Sequence, residues 1–250
     1  MAAAERWATD FHARNIVVQT NFFTVMLDRL LLLCEKYPLD FITHLSSSLP
    51  VLLGLLRYKY LSLSSKLIIA FFISYFLIES LGTWLSLLKS NNLYLQNIEA
   101  IVETLFVLGI ALASLQSLKW KRLTLFFAAL SLTASAVTYQ QDAVSSMSQS
   151  AFRLFAIFVC LSYFSKILMD VSVKNILLHT LFWFISGLLI YTSGTFFIML
   201  FSEYWYKDIN KVSAEVFDKY WNSSQVLFII FCCLSAYGLW SSKYDQDNTL

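Results

Sequence analysis

The chain has 250 residues, 58% apolar and 14% charged, with a formal net charge of +2. A soluble domain carries about a quarter charged residues, so the composition excludes an ordinary soluble globular domain, and the absence of a basic stripe argues against nucleic-acid binding. Several apolar runs reach the roughly 20 residues that cross a bilayer, which predicts an all-α, polytopic membrane protein whose first partner is the lipid bilayer.

In chain order, residues 1–38 read as an N-terminal extension. MAAAERWATDFHARN lacks the apolar centre of a cleavable signal peptide. The following NIVVQTNFFTVMLDRLLLLCEKYP is apolar but carries Asp28 and Arg29 in its middle, and a charge at the bilayer centre costs about 3 kcal/mol. Phe22, Met26, Leu30 and Leu33 fall on one helical face, which predicts an amphipathic helix at the membrane interface. An eighth span over residues 15–34 is the competing reading.

Residues 39–242 read as the membrane domain and 243–250 as a short C-terminal tail. Seven spans are expected at about 41–57, 66–88, 94–116, 121–139, 151–170, 175–202 and 218–240. They exceed the length of a barrel strand and lack its alternation, so helices are the expected form. Only Pro50 interrupts a span, just after the run Ser46, Ser47, Ser48. Arg57, Lys59 and Lys66, then Lys119, Lys121 and Arg122, then Lys166 and Lys174 fall on one side of the predicted bundle. The other side offers Lys89 and Arg153, and a loop where Lys207, Lys211 and Lys219 are offset by Glu203, Asp208, Glu215 and Asp218. The asymmetry predicts an outside N-terminus and a cytoplasmic C-terminus.

Four stretches, LDFITHLSSSLPVLLGLLRYKYL, NNLYLQNIEAIVETLF, FWFISGLLIYTSGTFFIMLFSEYW and WNSSQVLFIIFCCLSAYGLW, resemble a family of seven-helix membrane proteins common in Bacteroidota. The likeness covers about residues 39–240. It implies a seven-helix fold and the cytoplasmic (inner) membrane of a bacterium, and carries no established activity.

Ionisable groups inside spans are costly and usually face the bundle interior. Asn92, Gln96, Glu99 and Glu103 follow one another at four, three and four residues, and Tyr75, Glu79 and Thr83 form a second stripe. His44 in the first span, Arg153 at the start of the fifth, Tyr191 in the sixth, and Asn222 and Gln225 in the seventh fall at the same predicted depth. These groups are expected to converge on an outward-facing polar cavity. The candidate ligand-binding or proton-linked residues are therefore Glu79, Glu99, Glu103, Arg153, His44, Tyr191, Asn222 and Gln225. Structural readings stand beside this one. Glu99 and Arg153 could form a buried ion pair, and Glu79 and Glu103 could be neutral acids bonded to Ser or Tyr neighbours. His179 reads as a helix-end residue, and Trp120, Trp205, Tyr206 and Trp240 as an aromatic belt.

Several function classes fall away. A retinal protein needs a lysine near the middle of its last span, and here Lys219 stands at the edge. A zinc hydrolase needs about three clustered ligands, whereas His12, His44 and His179 are the only histidines, the last two at opposite depths. The four cysteines show no metal or disulfide spacing. No cofactor or metal site is expected, and an intramembrane hydrolase with a carboxylate site built on Glu79, Glu99, Glu103 and His44 stands as a minor alternative. The expectation is a receptor or sensor module acting through a signalling partner protein, since the chain shows no output domain of its own. A small proton-coupled transporter using the intramembrane carboxylates is the alternative.

Overall fold

The structure, a computed structural model, describes residues 24–170, 175–202 and 214–245. Phe22 of the predicted amphipathic face, Lys174, and Glu203, Lys207, Asp208 and Lys211 of the predicted loop lie outside the described residues. All regular structure among the described residues is helical. Helix α1 covers 24–36, α2 Pro38–Ser46, α3 Ser48–Leu56, α4 Leu63–Leu87, α5 Leu93–Ser114, α6 Leu118–Val137, α7 Ser146–Asp170, α8 Thr180–Leu200 and α9 Ala214–Asp245.

Each predicted span is a helix, and six are long and apolar enough to cross a membrane. These are Pro38–Leu56 (α2 with α3), Leu63–Leu87, Leu93–Ser114, Ser146–Met169, Thr180–Leu200 and Asp218–Asp245. The fourth predicted span, α6, is not among them. Lys119, Lys121 and Arg122 occupy its first turn and leave only fifteen residues before its end. Two boundaries move as well. α7 starts at Ser146 rather than 151, and α9 runs to Asp245, beyond the expected end of the membrane domain at 242.

The ends of these helices have local causes. Pro38 opens α2, where its missing N–H costs nothing. Pro50 then leaves the Ser46 carbonyl without its helical donor, and the chain breaks between α2 and α3 at Ser47. Ser46, Ser47 and Ser48 turn their hydroxyls back onto the carbonyls of Thr43, His44 and Leu45 at 2.7, 2.6 and 2.6 Å, a habit that bends helices. Ser62 caps α4 by accepting from the Ser65 N–H. α4 closes with Lys89 in the left-handed region at φ 57°. The Ser90 N–H reaches Leu85 O and the Lys89 N–H reaches Ser86 O, each at 2.9 Å, which satisfies two terminal carbonyls.

Consecutive helices pack as neighbours, and α9 returns to α2 and α3, so the bundle closes into a ring. α5 touches both α6 and α7 while α6 also touches α7, which leaves α6 outside the α5–α7 junction. Only Thr124, Ala128, Ser131 and Ser135 of α6 are buried. Their spacing of four, three and four makes one narrow stripe of small residues, the surface that permits close helix approach. Outward, the bundle exposes Leu52, Leu56, Leu77, Leu105, Phe126, Leu154 and Phe197, an apolar surface of the kind that contacts lipid.

The two halves of the ring are filled differently. In one, Phe71 sits 5.1 Å from Phe72, 5.9 Å from Phe184 and 6.0 Å from Phe231, mostly edge-on. Ile68, Ile185, Leu188 and Leu239 close the remaining space. The other half, bounded by the late turns of α4 and α8 and the early turns of α2, α5, α7 and α9, holds a cavity.

Candidate functional site: a carboxylate-rich cavity

The cavity measures about 340 Å³ and takes its walls from all these helices, with Leu33 and Tyr37 closing one side. Seven of the eight sequence-predicted residues line it: His44, Glu79, Glu99, Glu103, Arg153, Tyr191 and Gln225. The α5 stripe enters whole, with Asn92 and Gln96, and the α4 stripe enters with Tyr75 and Thr83. Asn222 is the exception. It is exposed and lines a separate surface pocket with Asp218, Ser223 and Val226. The cavity face of α9 is Trp221, Ser224, Gln225 and Phe228, a three-four repeat, and Asn222 stands about 100° around the helix from Trp221.

Arg153 is 2% exposed and does not form the ion pair considered with Glu99. Its Nε donates to Thr195 Oγ1 at 2.9 Å, and Nη1 donates to the Gln149 carbonyl at 2.9 Å and to Gln149 Oε1 at 2.8 Å. Nη2 reaches the Tyr191 hydroxyl at 3.4 Å. The early start of α7 explains the substitution of partners. With Ser146 in the first turn, Gln149 becomes helical four residues before Arg153 and can hold it from its own helix. Gln149 in turn donates to Gln96 O at 2.7 Å, tying α7 to α5.

The glutamates are left without comparable partners. Glu103 is 5% exposed, and its Oε1 is buried with no hydrogen-bond partner among the described residues. Glu79 and Glu99 are half-buried and receive no hydrogen bond from a described residue. The one ion pair among the described residues is His179–Asp245, at the opposite end of the bundle. Thus the reading of Glu79 and Glu103 as acids bonded to Ser or Tyr neighbours does not describe this packing. His44, half-buried, places Nε2 3.1 Å from Ser80 Oγ and packs edge-on to Phe76.

Two further residues shape the site. Asp40 Oδ1 accepts from Trp221 Nε1 at 3.1 Å and from Gln225 Nε2 at 2.9 Å, which fastens α9 to α2 beside the cavity. Its place near the presumed edge of the membrane domain hid it. Gln149 sits one helical turn before Arg153, and that spacing was the available signal. Aromatic groups complete the wall: Tyr75 stacks on Phe228 at 4.3 Å, and Tyr191 meets Phe228 edge-on at 5.3 Å.

Among the described residues, no three His, Cys, Asp or Glu side chains lie close enough together to hold a metal ion. Fold and site together define a helical bundle with membrane-length helices and one carboxylate-rich internal cavity. Comparison with known protein families, curated proteins and solved structures finds no match to the chain. The resemblance drawn from the four sequence stretches rests on those stretches alone.

Proposed function

We propose that the protein is a receptor or sensor module of a bacterial cytoplasmic membrane that binds a small polar ligand in this cavity and acts through a partner protein. The observation carrying the reading is the division of the bundle. Polar groups from α2, α4, α5, α7, α8 and α9 meet at one end, while Phe71, Phe72, Phe184 and Phe231 pack against one another in the adjoining half. A pocket blind at one end suits recognition, whereas a transport path needs that packing to open.

In this reading α6 also crosses the membrane, making seven spans, and α1 lies along the interface. Met26, Leu30 and Leu33 of α1 are half-buried, and Arg29 Nη1 donates to Leu87 O at 3.0 Å, which supports a helix laid against the bundle. Arg57, Lys59, Lys66, Lys119, Lys121, Arg122 and Lys166 belong to the helix ends remote from the cavity. By the positive-inside rule that end is cytoplasmic and the cavity opens outward.

The test begins with the purified chain in lipid nanodiscs and a panel of small polar compounds screened for thermal stabilisation. Compounds that stabilise the native chain but not Tyr191→Ala are then offered to proteoliposomes carrying a proton gradient. The receptor reading expects binding without uptake, together with a changed fluorescence from a probe at Lys59→Cys. Gradient-driven uptake would replace it with proton-coupled transport.

A further inference from the structure

Resting on the reading that the cavity is a ligand site, we infer that its ligand is a small organic cation, a primary amine or amidinium with a short apolar body. The argument is an inventory of donors and acceptors along the wall. Glu79, Glu99 and Glu103 present carboxyl oxygens to which no described residue donates, and in its ionised form, the one a cation would bind, each can only accept. The strong donors are directed elsewhere. Arg153 is held by Gln149, Thr195 and Tyr191. Three of the four wall carboxamides also point away from the glutamates: Asn92 to Gly82 O, Gln149 to Gln96 O, and Gln225 to Asp40. The fourth, Gln96, cannot serve three carboxyls.

The remaining donors of the wall are neutral hydroxyls such as Tyr75 and Thr83, so a ligand that brings hydrogen-bond donors together with positive charge completes this cavity best. An ammonium carries three N–H donors and an amidinium four, and either bonds a carboxylate more strongly than a neutral donor does. Donors spread over one molecule can serve the three glutamates, which come from two different helices of the wall. The unpartnered Glu103 oxygen, buried beside the wall, marks where a donor is most needed. The half-buried Tyr75 ring, stacked on Phe228, offers an apolar and cation-tolerant surface for the body of the ligand. A volume of about 340 Å³ stands near the small end of ligand cavities.

Binding to the full chain in nanodiscs, followed by calorimetry, tests the inference with primary amines graded from methylamine to 2-phenylethylamine. The neutral control is 2-phenylethanol and the anionic control 3-phenylpropionate. The best amine is expected to bind about tenfold or more tightly than the alcohol, and Glu99→Gln and Glu103→Gln are each expected to weaken it by about tenfold without weakening the alcohol. If Glu103→Gln does not fold, the half-buried Glu99→Gln carries the comparison. Equal or tighter binding of the alcohol or the propionate, lost in Tyr191→Ala, overturns the cation inference and leaves the ligand-site reading standing. If no amine binds, the cation inference falls, and the ligand-site reading is decided by the screen of polar compounds against the native chain and Tyr191→Ala.

Discussion

Arg153 has four hydrogen bonds to Gln149, Thr195 and Tyr191 and almost no contact with solvent, so it joins α7 to α8 at the level of the cavity. Hydrogen bonds to charged groups contribute about 1.5–3 kcal/mol each. Arg153→Met is expected to destabilise the chain by about 3 kcal/mol, read as a lower unfolding temperature in detergent. Arg153→Lys should recover less than half of that loss, because an ammonium cannot reproduce the planar fork. Lys89 gives the opposite prediction. A side chain in the left-handed region costs about 1–2 kcal/mol, so Lys89→Gly should raise stability by about 1 kcal/mol in the same melt. At this scale the sequence was partly legible. The carboxyl stripe of α5 followed from helical spacing, whereas the partners of Arg153 depended on a helix start five residues earlier than expected and on Thr195 across an interface. Asn222 failed for a simple angular reason, since matching depth does not ensure matching face.

Between elements, α8 and α9 come close enough for backbone atoms to bar a side chain at a glycine. A Cβ on Gly238 would stand 2.7 Å from the Thr180 carbonyl oxygen, and one on Gly187 would stand 2.9 Å from a Phe231 ring carbon and 3.2 Å from its Cα. The carbonyl and the Cα belong to backbone and cannot turn aside. Gly238→Val is expected to cost about 2–3 kcal/mol, with gel filtration showing loss of the monodisperse species. Gly194→Ala should be milder, because its obstacle at 2.6 Å is the end of the Leu227 side chain. Hydropathy made the existence of these helices legible, whereas which of them meet at Gly187, Gly194 and Gly238 emerges only from the packing. The element that departs from the expectation of seven membrane-length helices is α6. Its charged first turn lowers its hydropathy, while its buried stripe of Thr124, Ala128, Ser131 and Ser135 reveals a packed helix only once the neighbours are known.

For the whole molecule, the proposed topology places the turn at Lys59 and the loop at Asp142 on opposite sides of the membrane. In a chain whose native cysteines are replaced by alanine, Asp142→Cys should react with a membrane-impermeant maleimide on intact cells. Lys59→Cys should react only after permeabilisation. Of α4, α5 and α6, which lie between the two positions, the first two are long and apolar enough to cross, so opposite sides for the pair require α6 to cross as well. Labelling of both positions from outside would contradict the seven-span arrangement. Ring order was not readable from the sequence, because seven similar apolar segments do not state their neighbours. What specifies it are sparse polar links such as Asn97, buried in α5, which binds the Gln140 and Ala143 carbonyls and the Ser145 N–H and so draws the α6–α7 loop over its helix.

Helix α9 makes polar contacts at both ends of the bundle. Trp221 and Gln225 grip Asp40 beside the cavity, and Asp245 accepts from the Thr180 N–H at 3.0 Å while meeting His179 at 2.8 Å. The intervening residues span about 36 Å of helix without a proline. Between those ends the helix is also held by close contacts at Gly187, Gly194 and Gly238. On the receptor reading, a displacement of its cavity end would therefore be carried along the α8–α9 seam toward the His179–Asp245 contact.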